Sequence, residues 1–194
     1  MSVDLAQIST RTDELAATFS VPALHVEHGK VPAWNPDGVL LRYRKRKPIL
    51  VIGTVFDKLT PAEQDGTLAS VVVLQHLLAT GVYKFWAAFG LVVVALELVL
   101  GYFVGKHDMP TWQFALLVLV EFVVCFFVLQ VVRLRRIVFR LDRRRAEVLG
   151  RPHMDMMLDR DSRQRSEFRG FIGAYLRLVT PREARRAKRL DATS

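Results

Sequence analysis

LTPAEQDGTLASVVVLQHLL, Leu59 to Leu78, opens with residues that start a helix and continues with residues that bury one. Thr60 can cap the helix and Pro61 suits its first turn. Glu63 stands three residues after the cap, where its carboxylate reaches back to the Thr60 amide. After Gly66 the run is apolar on nearly every side (Leu68, Ala69, Val71, Val72, Val73, Leu74, Leu77, Leu78), the mark of a helix enclosed all round rather than one lying on a surface.

Working outward toward the N-terminus, residues 21 to 52 read as short β-like pieces broken by turn residues: VPALHVEH, KVPAWNPDG, VLLRYRKR and PILVIG. Two or three strands are expected. Asn35, Pro36, Asp37 and Gly38 form a turn signal, and the basic run Arg42 to Lys47 separates the last two pieces. Before them, residues up to Ser20 form a short amphipathic helix through Leu5, Ile8, Leu15 and Phe19, with Ser9, Thr10 and Thr12 as the available caps. The first residues lack a basic start followed by an apolar core, so no signal peptide is expected.

Toward the C-terminus come two longer apolar segments, Phe85 to Val104 and Thr111 to Val132. At about twenty residues each, they match a hydrocarbon core of roughly 30 Å and read as transmembrane helices. Trp86, Tyr102 and Trp112 lie near their ends, and Gly105 to Pro110 is long enough only for a tight hairpin loop. Leu134 to Leu149 reads as an amphipathic helix ended by Gly150 and Pro152. A partly helical polar stretch follows, Met154 to Glu167, then an apolar piece, Phe168 to Leu178, that packs on the domain. A last helix begins at TPRE, Thr180 to Glu183, with the same capping spacing as at Thr60.

The chain thus divides into an N-terminal helix (1–20), strands with the enclosed helix (21–84), a transmembrane hairpin (85–132) and basic helices (133–194). The expected class is α+β, mostly helical with a small β-sheet. At 194 residues it suits one domain. The single Cys125 forbids an internal disulfide and sits in an apolar run, where packing is its expected role.

The formal charge of +9 is concentrated in RLRRIVFRLDRRRAEVLGR, Arg133 to Arg151, directly after the second apolar segment. Arg133, Arg135, Arg136, Arg140, Arg143, Arg144 and Arg145 are therefore expected on a surface facing anionic lipid headgroups or an acidic partner. No recognised nucleic-acid motif accompanies the charge, so nucleic acid is not the expected partner. By the positive-inside rule both flanks and both termini lie in the cytoplasm, in a plasma (inner) membrane, with the hairpin tip outside. Glu97 and Glu121 fall about 12 and 16 Å deep, counted from the loop. Two readings are open for them: contact with a polar group of a partner's membrane helix or a proton-linked role, or protonated carboxyls bonded to each other, to Gln130 or to backbone.

The order of these elements resembles the HtpX-type and CAAX-prenyl-protease-type membrane zinc metallopeptidases. Lys47 to Ala69 looks like the approach to that family's first motif, Leu141 to Pro152 like its A-D-R-x-A-A-E-L-x-G-D-P segment, and Thr180 to Leu190 like its last segment. In the family, an H-E-x-x-H helix supplies two zinc ligands and a general base, and a glutamate on a later helix supplies the third ligand. Carried over, the first histidine falls on Ser70, the base on Val71, the second histidine on Leu74 and the glutamate on Val138, and none can do its job. Asp142 matches the family's aspartate.

No other histidine restores the set. His76 lies about 120° round the helix from Ser70, His25 and His28 point to opposite faces of a strand, His107 is in the outer loop, and His153 is read as an ordinary polar or surface histidine. Val71, Leu74 and Val138 are expected to fill the old site as core. The resemblance thus implies a catalytically inactive, metallopeptidase-like membrane protein without cofactor, serving as an accessory or scaffold subunit of a membrane complex, with homo-oligomerisation left open. The alternatives are an active membrane zinc peptidase with a non-standard site and a membrane-tethered nucleic-acid binder.

Overall fold

In the computed structural model, residues 4–32, 35–45, 47–106, 110–167 and 170–192 are described. The protein is mostly helical with one three-stranded sheet, an α+β arrangement. Ala33, Trp34, Arg46, the hairpin tip with His107, and Phe168 lie outside the described residues.

Helix α1 (Leu5–Thr18) is capped by Asp4, whose Oδ1 accepts from the Ala6 amide at 2.9 Å. The cap expected at Ser9, Thr10 or Thr12 is not formed there. Instead Thr10 and Thr12 turn their hydroxyls back to the carbonyls of Ala6 and Ile8, which leaves them inside the helix. Strands β1 (His25–His28), β2 (Val39–Arg44) and β3 (Lys47–Ile52) form a sheet in the order β1-β3-β2, with β1 parallel and β2 antiparallel to β3. Of the four β-like pieces, the one at residues 30–38 forms no strand among its described residues and leads into the Asn35–Gly38 turn. There Asn35 accepts from the Asp37 amide and donates to the Val39 carbonyl. Gly38 has φ +64°, and a Cβ on it would lie 2.3 Å from the Phe56 nitrogen, so the turn requires glycine.

Helix α2 runs unbroken from Pro61 to Lys106, and α3 from Thr111 to Leu149. The enclosed helix and the first apolar segment are thus one element, as are the second apolar segment and the basic helix expected separately at 134–149. At 1.5 Å per residue they extend about 69 and 58 Å. The Thr60 box forms as expected: the Thr60 amide donates to Glu63 Oε2 at 2.9 Å and the Glu63 amide to Thr60 Oγ1 at 3.3 Å. These bonds hold the Glu63 carboxyl below its ordinary pKa.

Gly150, at φ +82°, ends α3, and α4 occupies Arg151–Glu167. Helix α5 spans Gly170–Val179 and α6 spans Glu183–Asp191. Here the cap position is Arg182, not Thr180. The Thr180 amide instead donates to the Leu176 carbonyl and closes α5.

The core lies where α1, the sheet and the first turns of α2 meet, around Leu15, Leu50, Ile52, Phe56, Leu68, Ala69, Val72 and Val73. Beyond it, α2 and α3 project as an antiparallel pair held by Phe85, Phe89, Phe122 and Phe126, with Phe89 and Phe122 edge to face at 5.0 Å. Both helices are long and apolar enough to cross a membrane. Their apolar residues face outward, with Leu91 74% and Leu98 71% exposed. No residue of the most apolar eighteen-residue stretch of α3 is buried, which is not the pattern of a soluble protein's core helix.

Candidate functional site

Thr67, Ser70, Val71 and Leu74 follow the i, i+3, i+4, i+7 spacing of one helical stripe on α2, and Val138, Leu141 and Arg145 share a stripe on α3. Together they line a cavity of about 220 Å³, completed by Asp37, Met157, Asp161, Thr180 and Arg186. The four positions singled out by the resemblance, Ser70, Val71, Leu74 and Val138, therefore converge on one place although 63 residues of chain lie between Leu74 and Val138.

Of the side chains expected to fill the site as core, Val71 packs against the core cluster from its edge, whereas Leu74 and Val138 do not join it. Val71, Leu74 and Val138 are only half-buried and border open space, while Leu68, Ala69, Val72 and Val73 form the buried face of α2. The Ser70 hydroxyl donates to the Gly66 carbonyl. The four family positions supply three aliphatic side chains and a hydroxyl, and the two carboxylates that line the cavity, Asp37 and Asp161, are taken up by Arg160 and Arg186, a set that does not fit a zinc ion, which takes imidazole, thiolate or carboxylate donors. No group of three or more His, Cys, Asp or Glu among the described residues is placed to hold a metal.

Asp142 lies one turn beyond Val138 and is 1% exposed. Its two oxygens accept from Nε and Nη2 of Arg186, each at 2.7 Å, and Arg186 Nη1 donates to Asp161 at 2.7 Å. Burial pulls the Arg186 pKa down most strongly, but the two carboxylates together outweigh it and raise it. Arg160 forms a second tie, donating to Asp37 at 2.6 Å and to Thr67 Oγ1 at 3.1 Å. Sequence reading singled out neither Arg186 nor Arg160. The available signal was their spacing, since Arg186 shares a helical face with Leu190 and Arg160 with Met157.

Arg145 was expected on a lipid or partner surface but is buried, 3% exposed. It stands four residues after Leu141 and so faces inward with it. Nε and Nη2 of Arg145 have no hydrogen-bond partner, and burial lowers its pKa against the attraction of Asp161 and Asp142. His153, expected as an ordinary polar or surface histidine, is half-buried. Its Nε2 is buried and unpartnered, close enough to Gly66 that a Cβ there would meet it at 2.8 Å. Burial first, and the Arg145 charge second, push its pKa below the ordinary value.

The other basic residues of α3 divide by face. Arg136, Arg140 and Arg143 are exposed, Arg143 being paired with Glu147 at 2.8 Å. Arg144 is half-buried. Arg133 and Arg135 turn inward: Arg133 donates to the Leu78 carbonyl at 3.1 Å and lies 5.0 Å over the Phe85 ring, and Arg135 donates to the Leu178 carbonyl at 2.8 Å. Between α3 and α6 a second cavity, about 370 Å³, is lined by Arg136, Phe139, Arg140, Asp142, Arg143, Arg186, Arg189 and Leu190. The Arg189 guanidinium stacks 4.4 Å over Phe139.

In the hairpin Glu97 and Glu121 are both half-buried. Oε1 of Glu121 is buried without a hydrogen-bond partner, and so is Oε1 of Gln130. Compared with protein-family models, curated proteins and solved structures, the chain matches none.

Proposed function

We propose that the chain is a non-catalytic, metallopeptidase-like integral membrane protein acting as an accessory or scaffold subunit of a membrane complex, with its α+β domain on the cytoplasmic face of the plasma (inner) membrane. The observation that carries this reading is the cavity where Ser70, Val71, Leu74 and Val138 meet. A resemblance read from linear order alone gives no reason for those positions to converge, and a serine with three aliphatic residues supplies neither a metal ligand nor a general base there. The two outward-facing apolar helices and the exposed Arg136, Arg140 and Arg143 beyond them support the placement across a bilayer and its orientation. Glu97 and Glu121, both only half-buried in the hairpin, support a polar contact with a partner's membrane helix, since an ionisable group among hydrocarbon is costly without one.

The test is purification of the full chain in mild detergent with metal analysis, a casein-cleavage assay and mass spectrometry of copurifying proteins. The proposal expects no stoichiometric zinc, no cleavage, and one or more membrane proteins whose recovery falls in an E97Q/E121Q variant. Stoichiometric zinc with casein cleavage would establish the active-peptidase alternative instead. Partner recovery that is unchanged in the double variant removes the role assigned to the two carboxyls.

A further inference from the structure

The cavity between α3 and α6 lies where the proposed membrane placement would put lipid headgroups. The apolar stretch of α3 ends at Val132, and Arg136 and Arg140 follow four and eight residues later, about 6 and 12 Å further along the axis. The polar layer on each side of a bilayer is roughly 5 to 8 Å thick. Arg136 thus stands in that layer, and the cavity continues outward from it to Arg140 and to Arg189 on α6.

Within the cavity the charges are unequally answered. Arg186 is held by both Asp142 and Asp161, and the exposed Arg143 pairs through Nε with Glu147, whereas Arg136 and Arg140 are exposed with no such carboxylate beside them among the described residues. The stacking of Arg189 on Phe139 holds a further guanidinium against the same wall. A cavity of about 370 Å³ with exposed guanidinium groups at Arg136 and Arg140 and the Phe139 ring in its lining suits a phosphate bearing a polar substituent, because guanidinium donors match phosphate oxygens in pairs.

We infer that this cavity binds the headgroup phosphate of an anionic membrane phospholipid through Arg136 and Arg140 of α3, with α6 lining its other side. The inference rests on the membrane placement proposed above. It narrows the basic flank to one site and brings in α6, so that a lipid would bridge α3 to the last helix.

The experiment has two arms. Carbonate washing of membranes tests placement: extraction of the chain into the soluble fraction would remove the membrane reading itself. In the second arm the purified full chain, in neutral detergent, is titrated with phosphatidylglycerol or phosphatidylcholine and the bound lipid is counted by native mass spectrometry. Phosphatidylglycerol should be retained in preference. The R136Q/R140Q variant should weaken that retention roughly 25-fold, at about fivefold per arginine, whereas R42Q/R44Q on the sheet should leave it unchanged. Should the double variant not purify, R140Q alone carries the test at about fivefold. A chain that resists carbonate but binds both lipids equally overturns the site and leaves the membrane reading standing. Equal loss in the sheet variant, or an RNA oligonucleotide that binds through Arg136 and Arg140 when phosphatidylglycerol does not, overturns it as well.

Discussion

Asp142 offers the sharpest separation between an inherited motif and a working part of the fold. It sits 1% exposed on α3 and holds Arg186 of α6 through two bonds of 2.7 Å, while Asp161 of α4 takes the remaining arm at 2.7 Å. Replacing Asp142 with alanine leaves a guanidinium, 2% exposed, with a single carboxylate. Breaking one side of a buried pair costs about 3–5 kcal/mol, because the other charge stays desolvated. The loss should fall first on α6, which has only 9 residues.

Hydrogen exchange of the α6 amides in detergent reads that local opening. At about 1.4 kcal/mol per decade, D142A should speed exchange by roughly two to three and a half orders of magnitude. A D142L/R186L variant removes both charges and should recover most of the protection. If D142A leaves α6 exchange within about threefold of wild type, the pair does not staple the helices and the reasoning fails.

Three further outcomes follow from the same region. His153 is held below its ordinary pKa of 6.5, so as pH falls through about 6.5 the unfolded chain takes up a proton that the folded chain refuses. Stability should therefore fall between pH 7.5 and 5.5, and H153Q should flatten the curve. Parallel curves for the two proteins would refute the assignment. R145M should match or exceed wild type in thermal stability, since it removes a buried cation with two unpartnered nitrogens. A loss above about 2 kcal/mol would mean that the charge is satisfied after all. Finally, S70H/V71E/L74H/V138E places two imidazoles and two carboxylates on one cavity and should bind one zinc per chain by elemental analysis. A folded variant without zinc would show that the residue correspondence is wrong.

How much of this the sequence disclosed depended on whether a feature was local. The Thr60–Glu63 cap and the Asn35–Gly38 turn are chemistry within four residues, and both formed as read. The continuity of α2 was hidden because Thr80, Tyr83 and Lys84 interrupt the apolar pattern and resemble a boundary, although they are merely exposed positions on an unbroken helix. Arg145 was hidden by its neighbours: in a run of arginines, composition says surface, and only the register from Leu141 says core. The partners of Arg186 lie 44 and 25 residues away in sequence, so its burial became visible only once α3, α4 and α6 were packed. The cavity itself depends on the spacing between helices. Side-chain identities at Val71, Leu74 and Val138 predicted filling, but all three line the cavity and are half-buried.

Between Pro61 and Pro110 the chain has no proline, and α2 is continuous throughout its 46 residues. It therefore acts as a lever with no joint. The middle of the hairpin lies about 37 Å along the axis from Ser70. A change in tilt of about 10°, well within the range that bilayer thickness imposes on membrane helices, would carry Ser70 sideways by roughly 6 Å. Arg133, clasped to the Leu78 carbonyl, ties α3 to that same movement. Under the proposed placement, whatever tilts the pair within the bilayer also swings the domain built on its base.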